Sequence, residues 1–238
     1  MEVVPGQSKT ASFLIESPPS DADVQGRLIL TLTDWKILED TSVSYHDPGT
    51  QPRSASQWLI YSPSDLTITS GQQRLVRVTA NVPEGALPGV YTSALFVQER
   101  PPARLPRVGE QLIYFRFRYV VTIYVIVQPV SGKGEITDFR LTRDAQGARL
   151  VARLKNTGTR HVRPVISWFL RSDQAELIAE KNVEATVLLP EATTDETLVI
   201  PNLLPGEYEI EAQVDFHDGQ PVQSIKRKVE VASLAASR

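Results

Sequence analysis

A chain of 238 residues is long enough for one large domain or for two of about 120 residues each, and 41% hydrophobic with 22% charged residues is ordinary globular composition. A net charge of −3 gives no general attraction to nucleic acid or to an anionic membrane, so neither is expected as a partner. The chain has no cysteine, which excludes disulfides and thiolate metal sites.

The start, MEVVPGQSKT, has neither a basic n-region nor an apolar h-region. Two readings stay open: a cytoplasmic protein, or a mature segment with its leader removed and a methionine added. Lys9–Glu16 predicts the first clear strand, and Arg27–Leu38 alternates with Leu28, Leu30 and Leu32 on one face. His46–Ala55 carries turn chemistry in its DPG and QPR triplets. Further strands are expected at Gln57–Ser62, Leu66–Thr69, Arg74–Val82 and Val90–Gln98, the last entered through Leu87-Pro88-Gly89. ERPPARLPRVGEQ then reads as a loop, with Arg100, Arg104 and Arg107 as its basic contacts.

Gln111–Pro129 is the longest run of β-branched and aromatic residues. Phe115, Phe117, Tyr119, Val121 and Ile123 share one face of a strand, and Arg116, Arg118, Val120 and Thr122 share the other. Its uncharged part is about half the roughly 20 residues that a membrane helix needs. An unbroken strand here would reach on the order of 60 Å, beyond an average strand, so it must outrun its own sheet or serve two purposes.

PVSGKG at Pro129–Gly134 is the expected boundary between a domain at 1–129 and a second at 130–238. Beyond it strands are expected at Glu135–Arg143, Arg149–Lys155, Val162–Arg171, Leu177–Glu184, Glu196–Ile200, Glu207–Phe216 and Val222–Val231. Asp173–Lys181 leaves helix and hairpin turn both open. The halves share a local pattern: Leu87-Pro88-Gly89-Val90-Tyr91 is echoed by Leu204-Pro205-Gly206-Glu207-Tyr208. A Tyr entering a strand after a Pro-Gly corner resembles the tyrosine corner of immunoglobulin-like sandwiches. The expected architecture is all-β, two tandem immunoglobulin-like sandwiches with little or no helix.

The three histidines, His46, His161 and His217, fall in predicted turns without metal-ligand spacing. Asp215, His217 and Asp218 crowd one stretch, FHDGQP, which is hairpin chemistry. No phosphate-cradling Gly loop, GxSxG elbow or HExxH occurs, and nothing sets a nucleophile beside a base. Trp35, Trp58 and Trp168 suit sandwich cores better than sugar stacking. No enzyme activity, cofactor or metal is expected.

Several stretches in order resemble the PapD-like family of periplasmic pilus chaperones. LTLTDWKI is similar to that family's early strand with its Trp, and ASQWLIYSPSDLTITSGQQRLVRV to its P-x-x-x-x-L-x-P-G-x-x-x-x-V-R run, with Pro63, Gly71, Val76 and Arg77 at the corresponding places. GVYTSALFVQERPP resembles the following strand, and Gln111–Pro129 the long last strand of the first domain. ARLKNTGTRHV and VDFHDGQPVQSI resemble a strand and turn of the second domain and its closing hairpin. The resemblance implies a PapD-like fold, a periplasmic or extracellular location, and a pilus or other secreted subunit as partner. It also implies strand donation, with Phe115, Phe117 and Tyr119, continuing to Val121 and Ile123, as the donor positions.

The family anchors its subunit's C-terminal carboxylate with two basic residues. The first would fall at or before Met1, and the second at Thr122–Tyr124, where this chain has no Lys or Arg. A trimmed first strand would leave an opposite sheet edge open and favour homodimers or swaps. Two other readings remain open: a surface structural or adhesion module without chaperone activity, and a cytoplasmic scaffold resembling the major sperm protein domains, which share the fold.

Overall fold

A computed structural model describes residues 1–20, 25–38, 41–100, 117–144 and 147–231. The chain forms two compact units, one from Met1 to Pro129 and the other from Val130 onward. Both are immunoglobulin-like sandwiches whose strands pair antiparallel except for the short parallel β1–β9 pair, and a single 3₁₀ turn at Ser56–Trp58 is the helical content among the described residues.

The strands of the first unit are β1 (Glu2–Val3), β2 (Ser8–Glu16), β3 (Gln25–Ile37), β4 (Val43–His46), β5 (Leu59–Ser62), β6 (Asp65–Thr69), β7 (Gln73–Asn81), β8 (Gly89–Glu99) and β9 (Arg118–Val127). One sheet runs β1-β9-β8-β3-β4, with β6 also on β3, and the other runs β2-β7-β5. Strand β8 lies between β9 and β3, and its VYTSAL stretch is buried on both faces, without the alternation of strands that keep one wet face. Leu30, Val76, Val78, Leu95, Ile123, Val125 and Val127 fill the space between the sheets.

Asp34 is fully buried in this unit and accepts bonds from the hydroxyls of Ser54 and Ser56 at 2.7 and 2.6 Å and from the backbone N–H groups of Thr50 and Gln51 at 3.0 and 3.1 Å. Burial alone would raise its pKa; the Ser56 and Ser54 hydroxyls with the Gln51 and Thr50 amides outweigh burial and lower it. The DPG and QPR turns are thereby tied to β3 through one carboxylate. Short strands β1 and β4 lie where no strand was expected, because two to four residues are too few to show a period.

In the second unit the strands are β10 (Gly134–Asp144), β11 (Gly147–Asn156), β12 (Val165–Ser172), β13 (Leu177–Glu184), β14 (Thr193–Ile200), β15 (Gly206–Asp215) and β16 (Gln223–Val231). They form the sheets β10-β11-β14 and β13-β12-β15-β16 around Phe139, Leu150, Trp168 and Ile210. The Ser172–Glu176 segment is a hairpin turn, with Ser172 N–H on the Glu176 carbonyl at 2.9 Å and Ala175 in the left-handed region. That settles the open choice at Asp173–Lys181 against a helix.

Both corners form as the sequence pattern implies. Tyr91 donates its hydroxyl to the Leu87 carbonyl at 3.0 Å, and Tyr208 to the Leu204 carbonyl at 2.8 Å. Gly89 and Gly206, with φ of +141° and +155°, supply the turn that brings each tyrosine over the carbonyl four residues back. Tyr208→Phe should lower the second unit's unfolding free energy by about 1 kcal/mol, read from urea midpoints at constant slope.

Glu211 on β15 is 3% exposed and meets Arg171 and Lys226 at 3.0 Å each, with Gln213 at 2.7 Å and Ser224 at 3.2 Å. Burial opposes its charge, but those partners outweigh burial and bring its pKa from 4.5 to about 2. A depressed carboxylate stabilises the fold above its unfolded pKa, so this contribution is whole above about pH 4.5 and drains away as the pH falls toward 2. Urea titrations across that window should show wild type losing on the order of 1–3 kcal/mol, with a flatter profile for Glu211→Gln.

Candidate functional site

Strand β9 is hydrogen-bonded along its whole length to β8, from Arg118↔Gln98 to Val127↔Gly89. Among the described residues its other side is covered only near the C-terminal end. There β1 pairs in parallel with Ile126 and Val127, the Met1 ammonium reaches the Tyr124 carbonyl at 2.6 Å, and the Ile126 and Gln128 amides bond to Met1 and Val3. From Arg118 to Ile123, β9 is a sheet edge with no further strand beside it among the described residues. The β1 bonds also show which way the backbone faces. Even-numbered residues point their N–H and C=O groups away from β8, so alternation leaves those of Arg118, Val120 and Thr122 on the open edge.

Side chains follow the same alternation with a different outcome at each end. Ile123, Val125 and Val127 are buried between the sheets, and Val121 is half-buried against the same core. Two steps further along the same face, Tyr119 is 70% exposed and Phe117 is 71% exposed. The face that packs the core at one end of the strand thus carries bare aromatic rings at the other. On the opposite face Arg118 lies over the Phe96 ring at 4.4 Å and donates Nε to Gln98 Oε1 at 2.9 Å, while Tyr45 meets Phe96 edge-on at 4.9 Å.

Of the basic residues singled out in the sequence, Arg100 is exposed and paired with Asp65 at 3.0 Å, which Arg27 also holds at 3.0 Å. Phe115, Arg104 and Arg107 lie outside the described residues. His46 bonds Ser44, and His217 bonds the Arg163 carbonyl. His161 is half-buried, and burial first, then the charges of Arg163 and Arg160, lowers its pKa. Among the described residues no group of three or more His, Asp or Glu could hold a metal ion. Trp35 and Trp168 are buried, Trp35 donating to the Ser93 carbonyl at 2.9 Å, and Trp58 packs on Tyr91. The Asp34 cluster was missed in the sequence: an Asp before Trp, Ser54 and Ser56 on one later segment and Ser93 on β8 are far apart in the chain and form no recognisable motif.

No family model matches the sequence, and no curated protein matches it. Among solved structures, the chain is similar to one in a chaperone–tip adhesin complex of CFA/I fimbriae biogenesis, at 12% identity over 95% of this chain and 93% of that one, with a TM-score of 0.49. It is similar to the class 5 fimbriae chaperone CfaA at 11% identity over 98% and 96%, TM-score 0.47. It is also similar to a chain of the CsuC–CsuE chaperone–tip adhesion subunit pre-assembly complex of Acinetobacter baumannii Csu pili, at 14% identity over 94% and 93%, TM-score 0.46.

The burial gradient along one strand face separates two substitutions of the same kind. Phe117→Glu should change the unfolding free energy by about 0.5 kcal/mol or less, since the ring is already in water. Ile123→Glu places an unpaired carboxylate between the sheets and should cost several kcal/mol or unfold the first unit. Thermal and urea unfolding of the two variants check the pair.

Proposed function

We propose that this protein is a non-enzymatic, periplasmic chaperone-like protein that binds an extended segment of a pilus or other secreted subunit along Arg118–Ile123. The observation that carries the reading is the open edge itself: three backbone rungs with no strand beside them among the described residues, next to two exposed aromatic side chains and a half-buried valine on one face. An added strand gains affinity from the rungs of Arg118, Val120 and Thr122, and specificity from pockets that take Phe117, Tyr119 and Val121. Phe115 would extend that row, and Arg100, Arg104 and Arg107 would flank it as loop contacts. A flat hydrophobic edge is an aggregation hazard unless something covers it, which favours a use for this one. Two tandem domains with their boundary at 129/130 complete the reading.

Two copies of the chain could use the same rungs on each other, and β2, the outer strand of the second sheet, offers another open edge. A surface module made of two sandwiches would instead leave the rungs in water. Amide hydrogen exchange, alone and with secreted subunits from the same cell, distinguishes these uses. The amides of Arg118, Val120 and Thr122 should exchange fast alone and become protected with a subunit, while those of Tyr119, Val121 and Ile123, bonded to β8, stay slow throughout. Protection that rises with protein concentration in the absence of any subunit would assign the edge to self-association. Exchange unchanged by every subunit would sink the chaperone reading in favour of the surface module.

A further inference from the structure

The open edge has two faces, and the strand-addition reading uses only one of them. On the other face the row across the sheet is Arg118, Gln98, Ile29 and Asp65, each residue the direct partner of the next. Three strand spacings of roughly 4.8 Å put Asp65 on the order of 14 Å from Arg118, beyond a screening length of about 8–10 Å. Asp65 is in any case held by Arg27 and Arg100. The Arg118 guanidinium lies over Phe96 and spends one N–H on Gln98, with no carboxylate against it among the described residues. Its position is set by the ring beneath it and by the Gln98 bond, and it stands on the rung where an added strand would pair.

We propose that the segment bound along β9 alternates apolar residues, facing Phe117, Tyr119 and Val121, with an acidic residue on its other face set against Arg118. This rests on the strand-addition reading and narrows its partner. Directly opposed side chains on an added strand lie within reach of each other, and an opposite charge there is favoured while a like charge is disfavoured. The arginine is already oriented, so little side-chain freedom is lost in making the pair.

The test uses three terminally blocked nine-residue peptides that alternate valine or phenylalanine with threonine and carry Thr, Glu or Lys at the central polar position. Binding is read by fluorescence anisotropy. The Glu peptide should bind wild type about threefold to tenfold tighter than the Lys peptide, the gap should narrow in ~0.5 M NaCl, and the order should invert with Arg118→Glu. Arg118 is exposed, and circular dichroism confirms that the variant keeps the fold. Equal binding of the Glu and Lys peptides, or the same order in Arg118→Glu, overturns the acidic preference and leaves strand addition standing. Failure of all three peptides to bind overturns strand addition and this inference with it.

Discussion

The hydrogen-bonded ladder between β8 and β9 is the constraint on which the candidate site depends. It holds ten consecutive residues of β9 in one register, so one set of side chains faces the space between the sheets along the whole strand. That space is filled at Ile123, Val125 and Val127 and is no longer closed at Tyr119 and Phe117. Tyr119 cannot turn away from its face without breaking the ladder that also aligns the core, so its exposure follows from the same bonds that bury the valines; Phe117 precedes the first pair by one residue and is exposed as well.

Strand β13, an outer strand of its sheet, shows water Glu180, Lys181, Asn182 and Glu184 after the exposed pair Leu177 and Ile178, so charge covers its second half as natural sheets do against unwanted pairing. Strand β9 closes its C-terminal part with β1 and leaves its N-terminal part open, with Val120 and Thr122 on the rungs and aromatics beside them. An edge covered at one end and bare at the other has a defined length and direction, which a partner segment can match.

Each unit holds a buried carboxylate that ties its own segments together. Asp34 gathers two backbone amides and two hydroxyls from the 50–56 segment, so that the turns next to β4 are held to β3. Glu211 gathers Arg171, Lys226, Gln213 and Ser224 across three neighbouring strands of the second unit. Each keeps its charge because it is surrounded by donors.

Much of this was legible in the sequence. Alternation and β-branched runs located the longer strands to within a few residues, since a period of two is a local property of a strand with one wet face. The paired Leu-Pro-Gly-x-Tyr segments foretold both corner hydrogen bonds, because donor and acceptor lie four residues apart in the chain. β1 and β4 were not legible, being too short to show a period, nor was the Asp34 cluster, whose members are brought together only by folding. The identity of the face shared by Phe117, Tyr119, Val121 and Ile123 was plain from their spacing alone. Whether that face was core or free surface was not, because spacing is the same on either side of a core's boundary. Only the tertiary structure decided it, by ending the opposite sheet's cover between Ile123 and Tyr119 and by leaving three backbone rungs of β9 without a neighbouring strand among the described residues.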